Sequence, residues 1–155
     1  MTAFSQIPAI EPGVSQELAK WRAAQYSNIS YKLNLTLEKM SPVLRGSMEI
    51  HVTQAAYACA APNCPPMAII LDWRKIPGHE KDSTISNVSI NGAALNNNPS
   101  WLETHYDPAR IQNEFYEIRE HIVFPDQVRV GENVIKLDFY VADIDQRQRD
   151  HAVRR

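Results

Sequence analysis

The stretch ISYKLNLTLEKMSPVLRGSMEIHVT, residues 29–53, contains two runs in which apolar and polar residues alternate one by one. Successive side chains of a β-strand point to opposite faces, so each run places its apolar residues on a single face. Ser41-Pro42 separates the two runs. The stretch therefore predicts a long antiparallel hairpin with one dry face and one wet face. The predicted dry face carries Ile29, Tyr31, Leu33, Leu35 and Leu37 from the first strand and Leu44, Gly46, Met48, Ile50 and Val52 from the second.

The composition of the chain is that of one globular domain. Its 155 residues match the usual length of a domain, and 44% apolar with 22% charged residues is ordinary for a packed fold. A net charge of −2 creates no overall field that would attract nucleic acid or an anionic membrane. The apolar run over residues 67–71 is far shorter than the ~20 residues that span a bilayer. Neither a nucleic-acid partner nor a membrane span is therefore predicted.

One helix is predicted, over residues 14–26. Leu18 and Trp21 have the spacing of one helical face and are expected to dock on the core. Glu17 and Lys20 are expected to remain exposed to solvent. Ser15 is a suitable N-cap because its hydroxyl can accept from the first free amides of the helix.

Further strands follow at fairly regular spacing, with turn signals between them. Asn91-Gly92 is the dipeptide preferred in a type I′ hairpin turn, and a second turn is predicted over residues 96–99. Gly46, inside a strand, suggests a bulge or close packing, and Gly131 and Asn133 are expected to supply the dihedral angles of a tight turn. Strands are predicted over residues 67–72, 85–90, 115–118, 121–124 and 134–141.

These patterns predict an all-β fold: a two-sheet antiparallel sandwich or saddle-like domain with one short N-terminal helix. The predicted organisation is a flexible N-terminal arm over residues 1–13, a β domain over residues 14–142 and a polar tail over residues 143–155.

No catalytic, cofactor-binding or metal-binding residue is predicted. His79-Glu80 opens like the zinc-protease motif H-E-x-x-H, but Ser83 stands where the second histidine is required, and Pro77-Gly78 precedes it. The chain also lacks a G-x-S-x-G elbow and a glycine-rich phosphate loop. The five histidines are scattered, and each is expected at the surface or at a strand edge: His51, His79, His105, His121 and His151.

Cysteines and sequons bear on the compartment. Cys59 and Cys64 can form a local disulfide, remain free thiols or belong to half of a metal site. Asn28, Asn34 and Asn87 begin N-x-S/T sequons, for which chance matches on strand surfaces are the simpler explanation. The cysteine pair and the sequons favour a secreted or periplasmic location, whereas the lack of a signal-peptide pattern favours the cytoplasm. Together they favour the secreted or periplasmic location slightly.

The aromatic residues allow two interpretations. Core or inter-sheet packing is expected for most of them, and an exposed platform that binds glycans is the alternative. The residues concerned are Trp73, Trp101, Tyr106, Phe115 and Tyr116.

The order of the strand motifs resembles the N-terminal domain of the aminopeptidase N family of zinc metallopeptidases (gluzincins). The resemblance runs from about residue 28 to residue 141. It rests on Tyr31-x-Leu33-x-Leu35, Leu44-x-Gly46, Ile50, Ile70-Leu71-Asp72, Val88-Ser89-Ile90-Asn91-Gly92, Val123-Phe124-Pro125 and the stretch VRVGENVIKLDF, residues 128–139.

The resemblance implies a non-catalytic N-terminal β domain that docks on a catalytic domain of the same polypeptide and shapes its substrate entrance. Zinc is expected in that catalytic domain and not in this chain, which lacks H-E-x-x-H and the family's later acidic substrate contact. Peptide substrate would be met only indirectly, and the exposed docking face would allow a dimer. The alternative hypothesis is a β-sandwich binding module for glycan or protein ligands; an enzyme in this chain alone is not expected.

Overall fold

The computed structural model describes residues 7–56, 67–75, 80–97, 113–125 and 127–141. These residues form helix α1, a 3-10 turn at Glu80–Asp82 and nine strands. Their bounds are α1 Gln16–Gln25, β1 Tyr26–Leu37, β2 Leu44–Gln54, β3 Ile69–Asp72, β4 Ser83–Ile90, β5 Ala93–Ala94, β6 Asn96–Asn97, β7 Glu114–Ile118, β8 His121–Phe124 and β9 Gly131–Val141.

The strands form two sheets, which confirms the predicted fold class. The larger sheet has the order β1-β2-β9-β4-β5 and is antiparallel throughout. The smaller sheet has the order β3-β8-β7-β6 and is antiparallel except between β6 and β7. The predicted hairpin is confirmed as β1 and β2, and the alternation of the last strand is confirmed in β9.

The main core lies between the sheets. Ile50 and Val52 of β2 and Ile135 of β9 contact it from the larger sheet, because alternate residues of each strand point to the same face. Phe115 of β7 and Phe124 of β8 enter from the smaller sheet, and their rings stack with centroids 6.1 Å apart. The core is therefore the interior of a sandwich.

Helix α1 covers the other face of the smaller sheet and makes a third layer. Leu18 and Trp21 are almost fully buried there against Tyr116 and Val123, as the spacing predicts. Ser15 is the N-cap, and its hydroxyl accepts a hydrogen bond from the Leu18 amide. All four residues of β8 are consequently buried, since both faces of that strand are covered.

The N-terminal arm is described from residue 7 onward, and this part is attached to the body. Ile7 and Ile10 pack against the core beneath α1. The amide of Gly13 donates to the carboxylate of Glu120 at 3.0 Å. Residues 7–13 thus cover part of the helix layer.

Strand β1 departs from the prediction of a dry face. Tyr26 is half-buried, but every residue from 27 to 37 is exposed. The reason lies in strand length: β3, at the near edge of the smaller sheet, has four residues, whereas β1 has twelve. At about 3.3 Å per residue, β3 is only about 13 Å long, whereas β1 is about 40 Å long.

Two turn predictions have opposite outcomes. Asn91 and Gly92 both have positive φ angles, 52° and 86°, and join β4 to β5 as the type I′ prediction requires. The turn predicted over residues 96–99 is wrong in its first half, because Asn96–Asn97 is strand β6, paired in parallel with β7.

Asn133 is also placed differently from the prediction. It lies inside β9, fully buried, and does not supply a turn dihedral. Its side-chain amide accepts from the Arg129 amide and donates to the carbonyls of Arg129 and Gly131. It holds the loop before β9 by side-chain hydrogen bonds, while Gly131, and not Asn133, adopts a positive φ, 89°.

Several predicted features lie outside the described residues. They are the Cys59 and Cys64 pair, the histidines His79, His105 and His151, the aromatic residues Trp101 and Tyr106, and the tail over residues 143–155.

Candidate docking face

The most unusual surface of the molecule is the apolar face of β1, which we call the β1 row. Its side chains are 48% to 75% exposed, although their alternation is that of a strand with a buried face. Residues 31, 33, 35 and 37 pair in register with Ile50, Met48, Gly46 and Leu44, so they continue the core face of the larger sheet beyond the smaller sheet. The β1 row consists of Ile29, Tyr31, Leu33, Leu35 and Leu37.

A groove joins the β1 row to the interior between the sheets. Its volume is about 200 Å³, and Asp72 supplies the one carboxylate among its lining residues. Trp73 forms one wall, and its ring is tilted against Phe139 at a centroid distance of 6.4 Å. The groove is lined by Tyr31, Met48, Ile50, Leu71, Asp72, Trp73, Ile122 and Leu137.

Asp72 belongs to a polar cluster that links α1 to the smaller sheet. Arg22 of α1 donates two hydrogen bonds to its carboxylate, at 3.0 and 2.8 Å. Nδ1 of His121 lies 2.9 Å from the same carboxylate. Partial burial raises the pKa of Asp72, but the hydrogen bonds and charges of Arg22 and His121 outweigh it and hold that pKa below its usual value.

His121 corrects the expectation that every histidine is a surface or strand-edge residue. Its side chain is fully buried, and Nε2 lies 3.2 Å from the Glu11 carbonyl and 3.0 Å from the Gly13 carbonyl. Both ring nitrogens therefore contact protein acceptors, and neither faces the groove as a free base. The arrangement ties the arm to β3 and β8.

A second charged cluster lies on the polar face of the larger sheet. Glu49 accepts from Lys32 at 2.7 Å, contacts Nε2 of His51 at 2.8 Å and accepts from Lys136 at 3.0 Å. Hydrogen bonds from these three groups lower the pKa of Glu49 to about 2. Hydrogen bonds to Glu132 and Glu49 raise the pKa of His51, which sits on the polar face as predicted. The cluster ties β1, β2 and β9 together on the side away from the core.

The aromatic residues divide between the two interpretations. Phe115 and Tyr116 are buried, as core packing predicts. Trp73 is half-buried and lines the groove, and its Nε1 has no hydrogen-bond partner among the described residues.

Within the described ranges, no group of three or more histidine, cysteine, aspartate or glutamate side chains is arranged to hold a metal ion. In the same part of the chain, no helix is both long and apolar enough to cross a membrane.

A scan against models of known protein families, a search of curated proteins and a search of solved structures each found no match to this chain.

The cluster of Arg22, Asp72 and His121 could not be predicted from the sequence, because its members are far apart in the chain. Arg22 lies 50 residues before Asp72, and His121 lies 49 residues after it. One signal was present: His121 begins the otherwise apolar run HIVF, which is typical of a strand covered on both faces. A polar residue in such a strand requires buried partners.

Proposed function

We propose that this chain is the non-catalytic N-terminal β domain of an aminopeptidase N-type zinc peptidase. In this proposal the β1 row and the groove beside it dock on the catalytic domain of the same polypeptide and help to shape its substrate entrance. The observation that carries the docking role is the exposed β1 row.

The β1 row supports docking because it is contiguous and ordered. Five large apolar side chains, each about half exposed or more, lie along one strand. Monomeric proteins rarely expose large contiguous apolar patches, and such patches mark interaction sites. A rigid sheet also presents a surface of fixed shape to its partner.

The family assignment rests on the order of the sequence motifs. Tyr31-x-Leu33-x-Leu35 lies on β1, Asn91-Gly92 joins β4 to β5, and Gly131-Glu132-Asn133 opens β9. Zinc does not fit the described residues, since they contain no suitable ligand group. The metal chemistry of such a peptidase therefore belongs to another domain in this proposal, and no step of it is assigned to this chain.

The first experiment is to determine the coding sequence beyond Arg155. An H-E-x-x-H motif is expected within the next ~150–200 residues, about one further domain. A sequence of that length without the motif would overturn the aminopeptidase assignment.

The second experiment measures binding of the separately expressed downstream domain to the 155-residue chain by calorimetry. Leu37→Lys should weaken binding about tenfold or more, because it places a charge on the apolar face. Thr36→Lys, on the opposite face of the same strand, is the matched control and should leave binding unchanged. Equal effects of the two variants would contradict docking through the β1 row.

One observation favours a second candidate function, a binding module for glycan or protein ligands. The groove has an aromatic wall, Trp73, beside a carboxylate, Asp72. The indole ring can stack on a sugar ring, and the carboxylate can accept hydrogen bonds from the sugar hydroxyls. A glycan that quenches tryptophan fluorescence in the wild type and in Trp101→Phe, but not in Trp73→Phe, would support this function. A flat response across a glycan array would dismiss glycan binding.

A further inference from the structure

We propose that two copies of this chain pair edge to edge through β1, antiparallel and about a two-fold axis at Leu33. The pairing uses the outer backbone edge of β1. It is therefore distinct from docking through the side chains of the β1 row, and either can exist without the other.

The edge of β1 is long and open. β1 is the outermost strand of the larger sheet, and no other strand of the described ranges pairs with its outer edge. It has twelve residues without proline, whereas proteins usually protect sheet edges with short strands, prolines or bulges. Its one irregularity, between Ser27 and Ser30, lies near its beginning and leaves residues 30–37 in regular register.

The sequence of β1 is complementary to itself. An axis at Leu33 places that residue opposite its own copy and Tyr31 opposite Leu35. On the other face, the same register places Lys32 opposite Asn34 and Ser30 opposite Thr36. Apolar residues thus face apolar residues and polar face polar, as stable cross-strand pairing requires.

Charge is also compatible with this pairing. Lys32 is the one charged residue between residues 30 and 36, and it faces an amide rather than its own copy. Its ammonium group lies 2.7 Å from the Glu49 carboxylate of its own chain, so it is already paired. No like charges oppose each other at the junction, which favours a second copy as the occupant of this edge.

Pairing would extend the docking face. The two larger sheets would join into one continuous sheet of ten strands, counting the described five of each copy. The two β1 rows would then lie side by side on the same face. Each copy would contribute half of a single apolar surface.

Sedimentation-velocity ultracentrifugation of the 155-residue chain tests the pairing. A concentration-dependent dimer is expected for the wild type. Leu33→Lys should raise the dimer dissociation constant about tenfold or more, because it sets two like charges against each other at the axis. Leu37→Lys, the same change on the same face but beyond residues 30–36, is the matched control and should keep the dimer.

Complementation separates this pairing from a general effect of charge. Leu33→Glu should also dissociate the dimer, whereas an equimolar mixture of Leu33→Glu and Leu33→Lys should restore it. Circular dichroism of each variant checks that the fold persists, which the half-exposed position of Leu33 favours.

Spin labels at position 37 test the direction of the strands. Antiparallel pairing at Leu33 sets the two labelled backbones about 26 Å apart, eight residues along the strands, whereas parallel pairing would set them about 5 Å apart.

The proposal would be overturned by any of four results: a chain that stays monomeric at all concentrations, a dimer that Leu33→Lys does not weaken, a mixture of the two variants that fails to reassociate, or the short label distance. Binding of the downstream domain by a monomeric chain would refute only this pairing; a dimer without a downstream peptidase sequence would refute only the proposed function.

Discussion

Replacing Gly46 with alanine should force β1 away from β2. Gly46 lies in β2 between Leu35 of β1 and Phe139 of β9. A methyl group at this position would overlap the backbone carbonyl oxygen of Asn34 and lie 3.1 Å from the carbonyl carbon of the same residue. It would also lie 2.8 Å from Cζ of Phe139. The phenyl ring can rotate aside, but the carbonyl belongs to the strand itself, so β1 must move.

The size of the effect follows from the two groups that yield. Inserting a methylene-sized group into a packed site costs about 1–3 kcal/mol of unfolding free energy. Displacing β1 near Asn34 also weakens ladder hydrogen bonds, each with a net contribution of about 0.5–1.5 kcal/mol. We therefore expect Gly46→Ala to lower the unfolding free energy by about 2–3 kcal/mol. For a chain of this length, that corresponds to a melting temperature lower by about 4–12 °C.

Urea unfolding and hydrogen exchange measure the two parts of this prediction. Gly46→Ala should lower the urea midpoint and should accelerate exchange of β1 amides more than that of β9 amides. Gly92→Ala is the contrasting control, since a methyl group there meets no atom within 4 Å but the residue has a φ of 86°. It should destabilise the β4–β5 turn without affecting exchange in β1. A Gly46→Ala protein within about 0.5 kcal/mol of the wild type, with unchanged β1 exchange, would refute the reasoning.

Three further substitutions test polar side chains that join separate parts of the fold. Tyr26→Phe removes the hydroxyl that donates to the Ala68 carbonyl and accepts from the Ile70 amide; the unfolding free energy in urea should fall by about 1–3 kcal/mol. Asn133→Ala leaves the carbonyls and amide held by that side chain without partners, and it should cost at least about 2 kcal/mol in the same assay; a neutral result would contradict its anchoring role. Asp72→Asn tests acid stability: because the pKa of Asp72 is lowered in the fold, its ionised form stabilises the protein above its ordinary pKa of 3.8. The wild type should therefore be the more stable protein at pH 7, and thermal melts should show this advantage disappearing as the pH falls below that ordinary pKa; an advantage independent of pH would contradict the linkage.

Much of the fold was predictable because local patterns and tertiary structure agree. The alternation in β2 and β9 matches their buried faces, and Ser15 with Leu18 and Trp21 marks both the start and the docking side of α1. Asn91-Gly92 specifies its turn through dihedral angles alone, which require no knowledge of distant residues. Each of these features depends on neighbours in the sequence.

The features that could not be predicted depend on distant partners. Burial of His121 requires Asp72 and the carbonyls of residues 11 and 13, which no spacing in the sequence brings together. Asn96 belongs to a strand because it pairs with Glu114, although its amide-rich surroundings are typical of a turn. The exposure of β1 follows from the length of β3, a property of another strand.

The β1 row is where local sequence and tertiary structure disagree, and this disagreement is itself an argument for a partner. Full burial of a leucine, isoleucine or comparable side chain stabilises a protein by about 1.5–3 kcal/mol, so five side chains about half exposed leave several kcal/mol unrealised. Polar residues on the same face would keep the strand and lower its tendency to aggregate. The β1 row has the apolar residues of a core-facing strand, but no other part of the described structure covers it. Departures of this kind from apolar and polar patterning occur mainly at functional sites, so the exposed row is consistent with a surface that another domain or another copy covers. The Leu37→Lys and Leu33→Lys variants distinguish these two partners, because the first changes the face alone, whereas the second changes both the face and the axis of the edge.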